Sequence, residues 1–238
     1  MKIHRFITEY SVQNNQIEVV DSGLIHQWKN VLKFKIGEQL ILSTSEGKEA
    51  LCEITDVDKK EVVLRVISEN QNTTEETLHK NVTLYLAILK KENFEFVAQK
   101  ATELGVTKIV PVKTERTIKQ NLNFERLEKI VKEASEQCGR STIPKITEIM
   151  DFAEAIESLD KNYTNILFDM SGKPFSMGVG PLKLGVQPLT IFIGPEGGFA
   201  EKEINMAKES GMEITSISPL TLRGENAAII EVYIGTNL

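Results

Sequence analysis

Leu189-Thr190-Ile191-Phe192-Ile193-Gly194-Pro195-Glu196-Gly197-Gly198-Phe199 runs from an apolar segment straight into a glycine-rich turn that carries one carboxylate. An apolar run without polar alternation suits a strand buried on both faces, as in parallel sheets covered by helices. The turn after it supplies residues that tolerate φ > 0 and lets backbone amides approach a ligand closely. Ala200–Ser210, closed by Gly211, reads as the helix that follows. Strand, glycine turn and helix also make phosphate loops. Here, however, no Lys-Ser/Thr follows, and Glu196 sets a negative charge among the amides that would face a phosphate. The turn predicts a neutral or cationic ligand.

The same texture extends outward on both sides. From Asn81 the chain reads as strand Val82–Leu89, helix Phe94–Leu104 stopped by Gly105, and strand Lys108–Val112. Helices Phe124–Cys138 and Phe152–Ser158 follow, with Asn123 and Asp151 as caps, and then a strand at Asn165–Phe168. A Gly/Pro-rich connector at Gly172–Pro188 leads to the quoted strand, a strand at Glu213–Ile217 and a last helix from about Glu225 to Ile234. Strands alternating with helices predict an α/β domain with a parallel sheet. Residues 1 to about 70 differ. Short runs at Gln16–Val20, Gln39–Ser43, Ala50–Thr55 and Val62–Ile67, separated by turn residues, predict a small β-barrel. Polar Ser68–Thr77 reads as the linker, so the expected domains are 1–72 and 73–238.

A chain of 238 residues with 41% apolar and 26% charged side chains can bury full cores in two such domains. A net charge of −6 argues against nucleic-acid binding by bulk charge, though it leaves room for a local basic patch. Met1–Phe6 has no apolar signal region, and no run approaches the roughly 18 apolar residues of a membrane span. A cytoplasmic protein with no membrane partner is expected. Cys52, Cys138, His4, His26 and His79 show no ligand spacing, so neither a metal site nor a disulfide framework is expected.

Open α/β sheets bind ligands beyond the carboxyl ends of their strands. Three loops fall there: Asp169–Pro174, Gly194–Gly198 and Ser218–Arg223. Each alone reads equally well as a plain turn; together they are expected to form one pocket. Arg223 and Glu225 stand at a helix start, either as an ordinary ion pair or with Arg223 beside a reacting group, its cationic fork on an anion or a nucleobase carbonyl. Lys113–Lys145 is locally basic, eight positive residues to five negative. Most of these belong to the solvated face of an amphipathic helix, which leaves Arg116 and Arg140 as the better RNA-contact candidates.

Taken in order, further pieces carry a family resemblance. They are His4-Arg5-Phe6, Val31-Leu32-Lys33 before Gly37, Lys90-Lys91, Gln99–Val106 leading to Pro111 and Glu115-Arg116, and Glu133–Arg140 with Ile143-Pro144. Gly194–Phe199 with Glu203, and Leu222-Arg223 before Ala227-Ala228, complete the series. In this order and spacing the chain resembles the bacterial small-subunit ribosomal RNA uridine-N3 methyltransferases, the RsmE family of the SPOUT superfamily. The resemblance implies a PUA-like β-barrel followed by an α/β domain tied in a trefoil knot, an exception to the rule against threaded chains. It implies S-adenosylmethionine as cofactor, held at Phe168, Asp169, Met170, Ile193, Gly194, Glu196, Gly197, Gly198, Ile217, Ser218, Leu220 and Leu222. Arg223 and Glu225 take catalytic roles in this reading, and Arg5, Lys33, Lys90, Arg116 and Arg140 meet RNA. The implied partners are 16S rRNA within the assembled small subunit and a second copy of the chain, each active site drawing on both.

The chain departs from the family pattern at Ser218, where glycine is usual, and at Gly224 and Asn226. Lys33 replaces the usual Arg, and Ala200 replaces a capping Ser or Thr. If the turn at Ser218 needs φ > 0, serine is strained there and Pro219 fixes the next φ. Other readings stay open: a SPOUT enzyme for a ribose 2′-hydroxyl or another base, or an RNA-binding assembly protein that has lost catalysis. A nucleotide-dependent enzyme is disfavoured by Glu196 and the missing lysine.

Overall fold

The computed structural model describes residues 3–71, 81–118, 121–175, 188–218 and 220–237. The boundary expected between residues 72 and 73 lies outside them. The chain divides into two compact units, Met1–Thr77 with Ser135–Ile143, and Leu78–Ala134 with Pro144–Leu238.

In the first unit, strands β1 (His4–Ile7), β2 (Gln16–Val19), β3 (Gln39–Ser43), β4 (Lys48–Val57) and β5 (Val62–Gln71) form one sheet in the order β1-β3-β4-β5-β2. Helix α1 (Ser22–His26) starts where the Asp21 carboxylate accepts from Leu24 N, and a π-helical turn, Gln27–Val31, continues it. Trp28 is 1% exposed and packs on Phe6, with ring centroids 5.1 Å apart. The only tryptophan is therefore spent on the core. Ile7 N donates to Glu136 Oε1 at 2.9 Å, which ties Ser135–Ile143 to β1.

The second unit contains β6 (Val82–Ala87), α2 (Lys91–Glu103), β7 (Lys108–Lys113), α3 (Phe124–Cys138), β8 (Lys145–Ile146), β9 (Met150–Asp151), α4 (Phe152–Glu157) and β10 (Thr164–Pro174). After it come β11 (Leu189–Ile193), α5 (Glu201–Glu209), β12 (Glu213–Ser216) and α6 (Gly224–Asn237). The sheet order is β12-β10-β11-β6-β7-β8, with β9 also on β7, and all of these pairs are parallel. Every residue of β11 is buried, as its apolar run requires of a central strand covered on both faces.

Alternation along the strands sorts the two covering layers. Leu189, Ile191 and Ile193 join Phe94 and Val97 of α2, Leu127 and Val131 of α3, and Ala228 and Val232 of α6. Phe192 faces the other way with Tyr85, Phe152 and Ala155 of α4 and Ala207 of α5. The Tyr85 and Phe192 rings stack at 4.4 Å, an arrangement that adds to plain area burial. Asn123 caps α3 by accepting from Arg126 N at 3.0 Å. The trefoil knot expected from the resemblance is a property of the whole chain path, of which residues 176–187 lie outside the described residues.

Candidate functional site

The site is built where β10, β11 and β12 end. β10 pairs with β12 up to Phe168 and again from Lys173, so Asp169–Gly172 bulge out of a strand that continues to Pro174. This replaces the expected loop after a strand ending at Phe168. Ser171 donates from N and Oγ to Asp169 Oδ1 at 2.8 and 2.6 Å, a local turn that fixes the bulge. Gly172 lets the chain return: a Cβ there would sit 2.5 Å from Thr215 N and 2.7 Å from Ile214 O.

The turn after β11 is held from outside at several points. Gly198, at φ +68°, takes the left-handed conformation its sequence promised, and its N–H reaches Pro195 O at 2.8 Å. Arg116 Nη1 donates to Gly197 O at 2.7 Å. Glu196 Oε1 accepts from Lys90 N at 3.1 Å and Asn93 Nδ2 at 3.5 Å. Lys90 gives α2 no side-chain cap, so the Glu196 carboxylate supplies one in trans, where the helix dipole favours negative charge. Ala200 likewise caps α5 with no side chain. Instead the 4%-exposed Glu203 accepts from Ala200 N at 2.8 Å and from Glu115 N at 2.9 Å, joining the end of β7 to the start of α5.

Ser218 is not among the residues with positive φ, and the feared strain does not arise. Its Oγ accepts from Leu220 N at 3.0 Å and its carbonyl from Ser216 Oγ at 3.1 Å, so the hydroxyl builds a turn of its own. Pro219 lies outside the described residues.

These segments and the first two turns of α6 enclose a cavity of about 150 Å3. Phe168, Asp169, Met170, Ile193, Gly194, Glu196, Gly198, Ile217, Ser218, Leu220 and Leu222 all line it; Gly197 does not, its carbonyl being turned to Arg116. Three acidic residues line the cavity, Asp169, Glu196 and Glu231, and among its lining residues there is no Lys, Arg or His. Burial, and then the charge of Asp169, pushes the Glu231 carboxyl up to about 8. Sequence reasoning missed Glu231, Asn93 and the bracing role of Glu203. Glu231 had a signal, an acid on the stripe of Ala228 and Val232 that packs into the core.

Arg223 is exposed between two lining residues, Leu222 and Gly224, and its guanidinium makes no hydrogen bond or ion pair among the described residues. Glu225 accepts from Asn93 Nδ2 at 3.3 Å rather than pairing with Arg223. Of the RNA candidates, Lys33, Lys90 and Arg116 are exposed, and Lys33 stands at φ +56°. Arg5 is bound to Glu49. Arg140 is only 3% exposed and its Nη2 donates to Thr142 Oγ1, so its place outside the middle of α3 does not bring it to the surface. Arg126 pairs with Glu95 and Lys129 with Glu133, which blunts the basic segment. Among the described residues no cluster could hold a metal, and no helix is long and apolar enough to cross a membrane.

Sheet order and pocket define an α/β domain with room for a small ligand beyond the carboxyl ends of parallel strands. The family model of an RNA methyltransferase domain matches residues 75–234, and that of an RNA methyltransferase PUA domain matches residues 29–67. The chain is 30% identical to the ribosomal RNA small subunit methyltransferase E of Rickettsia conorii, over 98% of this chain and 94% of that one. With its Bacillus subtilis counterpart it also shares 30%, over 94% and 91%. The Neisseria gonorrhoeae enzyme of the same name, crystallised with S-adenosylmethionine, superposes with a TM-score of 0.85 at 26% identity, over 98% of this chain and 96% of that one. The chain belongs to this family of RNA methyltransferases, the RsmE family.

Proposed function

We propose that the chain is an S-adenosylmethionine-dependent methyltransferase that modifies N3 of a specific uridine in 16S rRNA. The acidic cavity at the ends of β10, β11 and β12 carries this reading. It offers backbone groups, apolar walls and three carboxyls but no cationic side chain, which suits a sulfonium and an ammonium and repels phosphate. A relative holds the same cofactor.

When bound, S-adenosylmethionine supplies an electrophilic methyl group. The chain's task is then to place and deprotonate the uracil, whose N3 carries a proton at neutral pH. Arg223, exposed at the pocket and free of a carboxylate partner among the described residues, stabilises charge developing on O2 or O4. Glu225, held by Asn93, is the candidate proton acceptor. Lys33, Lys90 and Arg116 present positive charge to RNA, with residues 1–72 as the RNA-binding domain and 73–238 as the methyltransferase domain. Met170, Leu220, Ile230 and Tyr233 leave apolar surface exposed on the bulge, the turn and α6, a face that fits a second copy of the chain. The reading places the enzyme in the cytoplasm, on assembled small subunits. Calorimetry tests the cofactor assignment: S-adenosylmethionine should bind once per chain, and failure to bind would overturn it. Equal methylation of naked 16S rRNA and of 30S subunits would count against the assembled substrate.

A further inference from the structure

Of the three acidic residues of this pocket, Glu231 is the one whose burial the reading above leaves unexplained. Its side chain is 5% exposed, and Oε2 has no hydrogen-bond partner among the described residues. It lies on the face of α6 that packs into the core through Ala228 and Val232, where an apolar residue would be less costly to bury. Glu231 is nevertheless one of the residues that line the cavity, within electrostatic reach of Asp169. The other carboxylate of the cavity, Glu196, is already committed to Lys90 N and Asn93. β6 and β11, two elements packed on α6, contain no charged residue. On α2, the third, Glu95 pairs with Arg126 and Lys100 with Glu103, while Glu92 is exposed; on α6 itself Glu225 is held by Asn93. Asp169 Oδ1 accepts from Ser171 N and Oγ, whereas Glu231 Oε2 accepts from no donor among the described residues, so Glu231 is the carboxyl left for a ligand, with the Asp169 charge nearby.

We propose that Glu231, acting with Asp169, sets the charge selectivity of the cofactor pocket, favouring S-adenosylmethionine, with its positive sulfur, over the product S-adenosylhomocysteine, whose sulfur is neutral. This rests on the cofactor assignment above. A buried carboxyl that is neutral in the empty pocket ionises when a cation is brought beside it and returns to neutral when the charge is gone. The same residue therefore holds the reactant and loosens the product. Its ionisation also couples affinity to pH, because binding the sulfonium form releases a proton.

Calorimetry on the full-length protein with both compounds tests this. In Glu231→Gln, which keeps the shape and removes the charge, the preference for S-adenosylmethionine over S-adenosylhomocysteine should fall about tenfold, the equivalent of about 1.4 kcal/mol. In the wild type the same preference should rise as pH increases towards about 8, and it needs no folded variant to be measured. A preference unchanged in Glu231→Gln, or flat with pH in the wild type, overturns the inference while leaving the cofactor assignment intact. Failure of the wild type to bind either compound overturns both.

Discussion

The turn after β11 and helix α6 line one cavity, yet they handle their charges in opposite ways. On the turn, Glu196 is taken up by Lys90 N, Gly197 by Arg116, and the adjoining helix by Glu203, which accepts two backbone amides from two different elements. At and along α6, the Arg223 guanidinium just before the helix has no partner among the described residues, Glu225 has a single long bond, and Glu231 is buried with an unbonded oxygen. One wall is a cradle whose polar groups satisfy each other. The other keeps its charges for what enters.

That difference can be broken by substitution. Arg223→Ala should cost the most, about 100- to 1,000-fold in kcat, with cofactor affinity nearly unchanged, as for loss of one donor to a developing oxyanion. Steady-state kinetics beside calorimetry checks it; normal turnover would place the catalytic charge elsewhere. Glu203→Ala comes next. It leaves two amides of the cradle unpaired and should destabilise the fold by roughly 3 kcal/mol, seen as a lowered thermal midpoint.

Glu231→Gln should act on stability through pH. In the folded chain the carboxyl is raised to about 8, above its ordinary value of 4.5. The contribution of its neutral form is full below the ordinary range and is lost as pH rises through that window, by up to about 1.4 kcal/mol per pH unit. Thermal midpoints of the cofactor-free protein between pH 5 and 8 should therefore decline more steeply in the wild type than in Glu231→Gln; parallel curves would contradict the assignment. The smallest effect belongs to Glu196→Gln, which keeps an acceptor for Lys90 N. A stability loss under about 1 kcal/mol is expected, with the preference between charged and neutral cofactor forms retained. If that preference collapsed instead, the cradle would also be a charge partner.

What could be read from the sequence follows the range of the forces involved. The β11 strand, the glycine turn and α3 were legible because a buried run, a positive-φ glycine and a 3.6-residue stripe are local signals. The bulge at Asp169–Gly172 was not, since only the approach of β12's backbone to Gly172 requires it. Nor was the fate of Glu225: a residue on α2, 132 positions earlier, holds it in place of the adjacent arginine. Arg140 looked surface-bound from its place at a helix end but is buried within the fold. Glu231 could have been found by asking why an acid interrupts a core stripe. What it faces is set by three loops that meet only in space.

The central claim is that this pocket delivers a methyl group to uracil N3. Purified 30S subunits incubated with the protein and methyl-labelled S-adenosylmethionine, then digested to nucleosides and read by mass spectrometry, test it most directly. The label should appear as 3-methyluridine, approaching one per 16S rRNA. Label on a ribose or another base, or no transfer by a protein that binds the cofactor, would contradict it.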